Sequence, residues 1–468
     1  MCYPITGDRM IDIKTNSKKI KNGDTFLALK GISTDGHGFI LDAIKNGASK
    51  IIAEHGNYEI ETIIVNDTRK YLLDYLKKNY NCYLDKMIFI GVTGTNGKTT
   101  TSFLIYQMLN NLGFKCSYIG TIGYYKEEKI CDLVNTSPEI SELYELLFDS
   151  YESGYHYVVM EVSSQGLAHH RFDGIKFDIA LFTNLTQDHL DYHINMTNYA
   201  YTKRELFNKL KNSGTAIINF DDKYKNYFML KENNNVTYGF NSHDYKIKDF
   251  SSSYSNLEFR FTKNINHNVQ SSLIGKHNVY NLMAMITCLH QLGISMKKIV
   301  SNIPTLYSPP GRMDKILYKN NLIIIDYAHT PDAIENVYNT INNFTTGKIY
   351  TVFGCTGNRD KIKRPIMTQS VLENSTLGII TSDDLHDENF DMIKNDMLNS
   401  NTYSNYIVEK NRKDAIKKGF NFLDNNDVLL ILGKGHEEFM ITNNTKIPFS
   451  DKKIILNLIE NAREKSFI

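Results

Sequence analysis

The segment GVTGTNGKTTT at residues 91–101 concentrates the groups a phosphate chemistry needs. It follows the apolar run MIFI and precedes the helical pattern SFLIYQMLNNLG. Glycines there let backbone N–H groups turn onto phosphate oxygens, a helix N-terminus adds partial positive charge, and Lys98 adds a full one. Gly94, Thr95, Asn96, Gly97, Lys98, Thr99 and Thr100 are the candidate nucleotide contacts, with Thr99 able to ligate Mg²⁺. Val92 stands where the strict phosphate-loop pattern has its first glycine. An ordinary Gly-rich turn is the bland alternative, and GKTT between a strand and a helix argues against it. Glu161 ends YVVME and His189 follows TNLTQD. Either alone would pass for a capping or surface group. Together with the loop, a carboxylate and an imidazole suggest a second Mg²⁺ on the transferring phosphate.

The elements that must position these groups read as α/β throughout. Residues 1–87 alternate strand-like and helix-like runs (DTFLALK, GFILDAIKNGA, SKIIAE, ETIIVND), which predicts a small α/β domain. Residues 88–307 carry MIFIGVTG, YVVMEV, DIALFTNL and TAIINF between helical stretches, and residues 308–468 repeat the rhythm after SPPGR with LIIIDYAH, IYTVFG, LGIITSDD and DVLLILGKG. Apolar runs separated by helices argue for parallel sheets. The polar stretch 241–268 alternates with a two-residue period in part, predicting a β-rich insertion. Nearly every apolar run ends in a polar cluster, and ligand crevices in open α/β sheets lie at those carboxyl ends.

Composition removes other classes. A length of 468 residues implies several cores. With 53 Lys plus Arg against 52 Asp plus Glu, no overall field draws the chain to nucleic acid or an anionic membrane. The start MCYPITGDRM lacks a leader pattern, and no run of about eighteen apolar residues follows, so a cytoplasmic protein is expected. Six scattered cysteines (Cys2, Cys82, Cys116, Cys131, Cys288, Cys355) have no CxxC pair and are expected to be packing residues.

GTNGKTT, NTSPE, MEVSSQGLAHHRFDG, FTNLTQDHLDYH, NYAYTKRELF, GKHNVYN, PGRMD, DYAHTPDA, VFGCTGNRDKIKRP and GKGHEE resemble, in order, the Mur ligases that add the third residue of the peptidoglycan stem peptide. NSKKIKNGDTFLALKG and DGHGFI resemble the family's uridine-binding domain, with Asn16 where an aspartate is usual. The resemblance implies three domains: an N-terminal UDP-binding unit, a central ATPase-like parallel sheet and a C-terminal Rossmann-like unit. It also implies ATP, Mg²⁺, and an acyl phosphate formed on UDP-N-acetylmuramoyl-L-alanyl-D-glutamate and attacked by a free amino acid. A monomer without nucleic acid or membrane partners is expected.

The resemblance gives Lys98, Lys203, His189 and Glu161 catalytic roles, with Thr99, Glu161, His189 and a carbamylated Lys203 around metal. It places Asn278 and Asn281 at adenine, and Arg312, Asp326 and His329 toward ribose and phosphates. Ser17 would meet the UDP end, and Asn135, Thr136, Ser137, Ser163, His169 and Arg171 the sugar-peptide end, Arg171 being the natural partner of a carboxylate. Gln165 and His169 depart from the usual His and Gln. For the incoming amino acid, Arg359, Gly433 and Glu437 would hold the common α-amino acid end. Asp383-Asp384-Leu385-His386 replaces the Asp-Asn-Pro-Arg of diaminopimelate-adding members. His386 cannot form the arginine's bidentate pair and Asp384 adds a carboxylate, so L-lysine or ornithine is expected ahead of meso-diaminopimelate. The alternatives are a paralogue or a folylpolyglutamate-synthase-like ligase acting on another carboxylate, and a non-enzymatic nucleotide-gated regulator.

Overall fold

The computed structural model describes residues 13–31, 34–231, 234–399, 402–443 and 445–464. Among the described residues, three sheets and one hairpin organise the chain. The first has four parallel strands in the order β1 (Ile13–Lys14), β2 (Thr25–Leu27), β3 (Lys50–Ala53), β4 (Glu61–Ile64).

The second sheet holds β5 (Ile88–Thr93), β6 (Cys116–Gly120), β7 (Gly123–Tyr125), β8 (Lys129–Cys131), β9 (Tyr157–Glu161), β10 (Phe177–Phe182), β11 (Leu210–Asn219), β12 (Asn234–Gly239), β13 (Tyr245–Ser252), β14 (Leu257–Lys263) and β15 (Ile265–Ser271). Its order is β15-β14-β13-β12-β11-β10-β5-β9-β6-β7-β8. The expected β-rich insertion is the antiparallel extension β13–β15. Central β5 lies between β10 and β9, parallel to both, so its apolar run is covered on two faces. Ile90 and Val92 pack one way, in a core that Leu104, Ile105 and Met108 of the helix Lys98–Asn111 share with Leu282, Met285 and Ile286 of the helix Lys276–Gln291. Phe89 packs the other way, in a core that also holds Leu143 and Leu147 together with Ile13, Leu27 and Ile52 of the first sheet.

The third sheet comprises β16 (Asp314–Tyr318), β17 (Asn321–Asp326), β18 (Ile349–Phe353), β19 (Leu377–Ile380), β20 (Tyr406–Val408) and β21 (Val428–Leu432), ordered β16-β17-β21-β18-β19-β20. All but the β16–β17 pairing are parallel. A hairpin follows, β22 (Phe439–Thr442) with β23 (Thr445–Pro448). No helix among the described residues is long and apolar enough to cross a membrane. Cys116, Cys288 and Cys355 are buried free thiols and Cys82 an exposed one. Cys131 corrects the expectation of packing thiols, since it is disulfide-bonded. Cys2 lies outside the described residues.

Arg412 and Asp451 are the first residues of the helices Arg412–Phe422 and Asp451–Glu464, and both are buried. The guanidinium binds both carboxylate oxygens at 2.9 and 2.8 Å and donates to the Leu432 carbonyl at 2.9 Å, fastening both helices to the end of β21. Breaking such a pair strands a buried charge, so Asp451→Ala should destabilise the protein by about 3–5 kcal/mol. Chemical denaturation checks it; a loss under about 1 kcal/mol would show that the pair does not hold this unit together.

Candidate active site

The turn after β5 closes only because two residues lack a side chain. Gly94 (φ +149°) and Gly97 (φ +82°) adopt backbone conformations unfavourable to other residues, and a Cβ at Gly94 would fall 1.9 Å from Thr183 Oγ1. The loop is clamped from the end of β10. Thr95 N–H donates to the Asn184 carbonyl (2.8 Å), Asn96 N–H to Asn184 Oδ1 (2.9 Å), and Thr183 Oγ1 to the Asn96 carbonyl (2.6 Å). Lys98 Nζ donates to the carbonyls of Gly94 (3.0 Å) and Thr95 (2.8 Å). Lys203 Nζ, fully buried on the helix Met196–Asn208, donates to the same Gly94 carbonyl at 2.8 Å. Neither ammonium is ion-paired with a carboxylate among the described residues. Burial lowers the pKa of both, and for Lys203 the nearby Lys98 lowers it further. This is a hole built for an anion.

From the loop a polar ladder runs across the crevice. Arg312, after the SPPG turn, reaches Thr99 Oγ1 at 3.3 Å and stacks on Tyr327 with its guanidinium carbon 4.4 Å from the ring centroid. Thr99 Oγ1 donates to Glu161 at 3.0 Å. The buried Glu161 carboxylate also accepts from the Tyr118 hydroxyl, Thr121 N–H (2.9 Å) and Thr121 Oγ1 (3.1 Å). Beyond it, Ser137 Oγ reaches the Glu161 carbonyl (3.1 Å) and lies 2.9 Å from Ser163 Oγ. Thr136 Oγ1 lies 3.1 Å from Thr121 Oγ1. Arg171 ends the ladder, donating to the Ser137 carbonyl (2.8 Å) and pairing with Glu139 (2.5 Å), its buried Nε without a partner among the described residues. Thus Lys98, Thr99, Glu161, Thr136, Ser137, Ser163, Arg171 and Arg312 come together. His169 stands near this end, where burial and Arg171 lower its pKa. Asn135 is half-buried beside Thr136.

Other expected contacts take internal partners. Asn281 Nδ2 binds Asn278 Oδ1 (2.9 Å), Asn278 Nδ2 binds the Ile274 carbonyl (2.8 Å), and Asn281 Oδ1 accepts from Thr101 (3.2 Å). These buried amides tie their helix to the phosphate-loop helix. Asp326 accepts from Met313 N–H (2.6 Å) and Ala328 N–H (2.7 Å), shaping the DYAH turn. Ser17 is buried on the first sheet's side, its carbonyl accepting from Asn46 (3.0 Å). Asn16 caps the turn Ser17–Lys19 through Lys18 N–H at 3.0 Å, so its amide serves where a carboxylate was usual.

His189 sits in a left-handed backbone conformation (φ +52°) at the end of the TQDH segment, 3.4 Å from Asp188. Burial lowers its pKa. Burial alone would raise Asp188, but His189, Lys363, His329 and Lys98 hold its carboxyl below the ordinary range. Lys363 reaches Asp188 at 3.4 Å and Asp332 accepts from Asn96 Nδ2 at 2.7 Å, so the third sheet's helices touch the phosphate loop from above. His329 is pushed down to about 4 by burial and then by Lys363, and its Nδ1 lies 2.8 Å from the Tyr327 carbonyl. Sequence reasoning missed Tyr118, Thr121, Asp188, Lys363 and Asp332. Asp188, Asp332 and Lys363 lay inside quoted motifs; Tyr118 and Thr121 offered no signal beyond polar residues beside apolar runs.

The loops after β18, β19 and β21 converge on Lys434, which is fully buried. Its Nζ lies 2.8 Å from Asp384 Oδ1, 2.8 Å from Glu437 Oε2 and 3.9 Å from Asp383 Oδ1. Asp384 also accepts from Ile441 N–H at 2.8 Å, so the carboxylate expected to await a distal ammonium is already occupied. Gly433 (φ +111°) leaves room for Asp383, whose Oδ2 would lie 2.6 Å from a Cβ there. His386 (φ +51°) is half-buried and joined through its backbone to Ile441 and Asn443. Arg359 is exposed and has no hydrogen-bonded partner among the described residues. Burial pushes Glu437 up to about 7.

Together the fold and site define a phosphate-loop α/β protein with a crevice between two parallel sheets. Comparison with known proteins makes this particular. The chain matches the Mur ligase middle domain over residues 92–289, the Mur ligase glutamate ligase domain over 311–435 and the Mur ligase family catalytic domain over 12–80. It is 39% identical to a UDP-N-acetylmuramoyl-L-alanyl-D-glutamate--2,6-diaminopimelate ligase of Clostridium perfringens, covering 96% of this chain and 95% of the relative. It is 38% identical to the enzyme so named in Aquifex aeolicus, covering 96% and 94%. A solved structure carrying the same enzyme name superposes with a TM-score of 0.65 at 30% identity, covering 97% of this chain and 95% of that one. A MurF ligase of Thermotoga maritima in complex with ADP shares the fold (TM-score 0.69, 22% identity, 97% and 98% covered). The chain belongs to the Mur ligase family.

Lys98→Ala should raise the Kd for ATP at least about tenfold, the loss of one charge-assisted contact. The melting temperature should barely move, because Lys98 bonds only loop carbonyls here. Calorimetric titration measures the Kd and a thermal melt the stability; an unchanged Kd would exclude the lysine from the nucleotide site.

Proposed function

We propose that this chain is the ATP-dependent ligase that joins a diamino acid, meso-diaminopimelate, to UDP-N-acetylmuramoyl-L-alanyl-D-glutamate in peptidoglycan synthesis. The observation that carries the reading is the pair of lysines meeting at the Gly94 carbonyl, with Arg171 at the far end of a ladder that starts at Thr99. Phosphorylating a carboxylate means bringing two anions together, which requires cations between and around them. Lys98 and the loop N–H groups hold the β- and γ-phosphates, Arg312 flanks Thr99, and Arg171 turns the substrate carboxylate toward them. The amine of the incoming amino acid then attacks the acyl phosphate, and phosphate leaves. The contacts Lys363–Asp188 and Asp332–Asn96 close the crevice from above and help keep water from the anhydride.

The residues fit Mg²⁺. Thr99 Oγ1 and Glu161, 3.0 Å apart, present the hard oxygen donors such an ion prefers. When bound, the ion would neutralise charge developing on the transferred phosphoryl group. His189, beside Asp188, would be a further ligand. The buried, depressed Lys203 suits carbamylation, which needs a neutral amine and yields a carboxylate-like ligand. Units 1–87, 88–307 and 308–468 would bind the UDP moiety, ATP and the amino acid. The reaction uses two nucleotide substrates, which suits the cytoplasm.

Diaminopimelate replaces the expected lysine or ornithine for two reasons. Asp384 is neutralised by Lys434, and the relatives quoted above carry diaminopimelate in their names. Phosphate release from ATP with the UDP-muramoyl dipeptide and a panel of amino acids tests this: diaminopimelate should give the highest kcat/KM, and a higher value for lysine would reverse the assignment. Lys203→Ala should cost at least about a hundredfold in kcat, with short carboxylic acids restoring part of it by occupying the vacated place. Full activity in the variant would make Lys203 a packing residue. Because Glu437 grips an ammonium only when ionised and titrates near 7, kcat/KM for the amino acid should fall as pH drops through 7. A flat profile from pH 6 to 8 would remove Glu437 from that contact.

A further inference from the structure

Lys434 has no solvent exposure, yet it carries a charge in the crevice at the carboxyl ends of the third sheet. Burial alone would lower its pKa, but Asp383, Glu437 and Asp384 hold the ammonium above the ordinary range. Its two short contacts at 2.8 Å run to the loop after β19 and to its own loop after β21. Through Asp384 the connection continues, since the Asp384 carbonyl accepts from Gly357 N–H at 2.7 Å and its carboxylate from Ile441 N–H. One ammonium thus joins the loop bearing Arg359, the Asp383–His386 segment, the GKGHEE loop and the β22–β23 hairpin. Contacts continue from this cluster toward the phosphate loop: the Tyr327 hydroxyl lies 3.4 Å from Glu437, and Arg312 stacks on that ring while touching Thr99.

Resting on the ligase reading above, we propose that Lys434 is a positioning residue that sets amino-acid selectivity by reducing the negative charge that the Asp383, Asp384 and Glu437 carboxylates present to the incoming side chain. The distal end of meso-diaminopimelate is a zwitterion, whereas that of lysine is a bare cation. With Lys434 in place, Asp384 is ion-paired at 2.8 Å and attracts a cation less, and the walls repel the distal carboxylate of diaminopimelate less than they would without the ammonium. The exposed guanidinium of Arg359 completes an environment suited to that zwitterion. Without Lys434 the same walls present Asp383, Asp384 and Glu437 while Arg412 is held by Asp451, and a distal ammonium becomes the better partner.

The test is the ratio of kcat/KM for meso-diaminopimelate to that for lysine. Lys434→Met should lower the ratio at least about tenfold, and Lys434→Arg should keep it near the wild-type value. Adding Asp384→Asn to Lys434→Met should return it toward wild type. A purely structural lysine would reduce both activities together, leaving the ratio unmoved; that result, in protein shown to be folded by circular dichroism, overturns the proposal. If Lys434→Met does not fold, Asp384→Asn alone decides: with the ammonium less balanced, the ratio should rise, and an unchanged ratio overturns the proposal. Wild type that releases phosphate with no amino acid would strike the ligase reading instead.

Discussion

Two lysine side chains share one backbone carbonyl, that of Gly94, and the rest of the site follows from keeping them there. The carbonyl is open to both because Gly94 has no side chain, and Thr183 occupies the space a Cβ would need. Holding the Lys98 ammonium with no carboxylate bonded to it among the described residues is unfavourable until an anion arrives, so the loop has to be rigid beforehand. That rigidity comes from Thr183 and Asn184 at the end of β10 and from the Asn278–Asn281–Thr101 amides beneath the loop helix.

Glu161 transmits this arrangement to the substrate side. Four hydrogen-bond donors converge on its carboxylate, and its carbonyl begins the Ser137–Ser163–Arg171 end of the ladder. Because β9 pairs with β5 in parallel register (Val92 with Glu161), strand pairing itself sets the distance between the phosphate loop and the carboxylate site. The histidines around the crevice are held neutral by burial, His329 at about 4 and His436 at about 3, so they add hydrogen-bonding capacity and little charge.

Much of this was legible in the sequence because it is local. Buried parallel strands announce themselves as apolar runs, glycine spacing marks the phosphate loop, and Lys98, Thr99, Glu161, Ser163 and Arg171 sit where short motifs put them. What escaped is non-local. Lys363 meets Asp188 across 175 positions, and Asn96 meets Asp332 across 236; no periodicity encodes such pairs. Asp384 misled for the same reason: as a residue type it is a free carboxylate, and only the fold supplies Lys434, 50 positions away, as its partner. Asn278 and Asn281 likewise read as ligand contacts because polar residues on a buried helix face have two uses, and the chain alone does not say which.

The central claim is that this crevice brings a carboxylate to the terminal phosphate of ATP. Labelling the D-glutamyl carboxylate of the UDP-muramoyl dipeptide with ¹⁸O and analysing the released phosphate by mass spectrometry tests it directly. Transfer of one labelled oxygen to phosphate, in step with amide formation, is the expected result. Unlabelled phosphate released alongside amide product would contradict the account, because the carboxylate would then never have been phosphorylated.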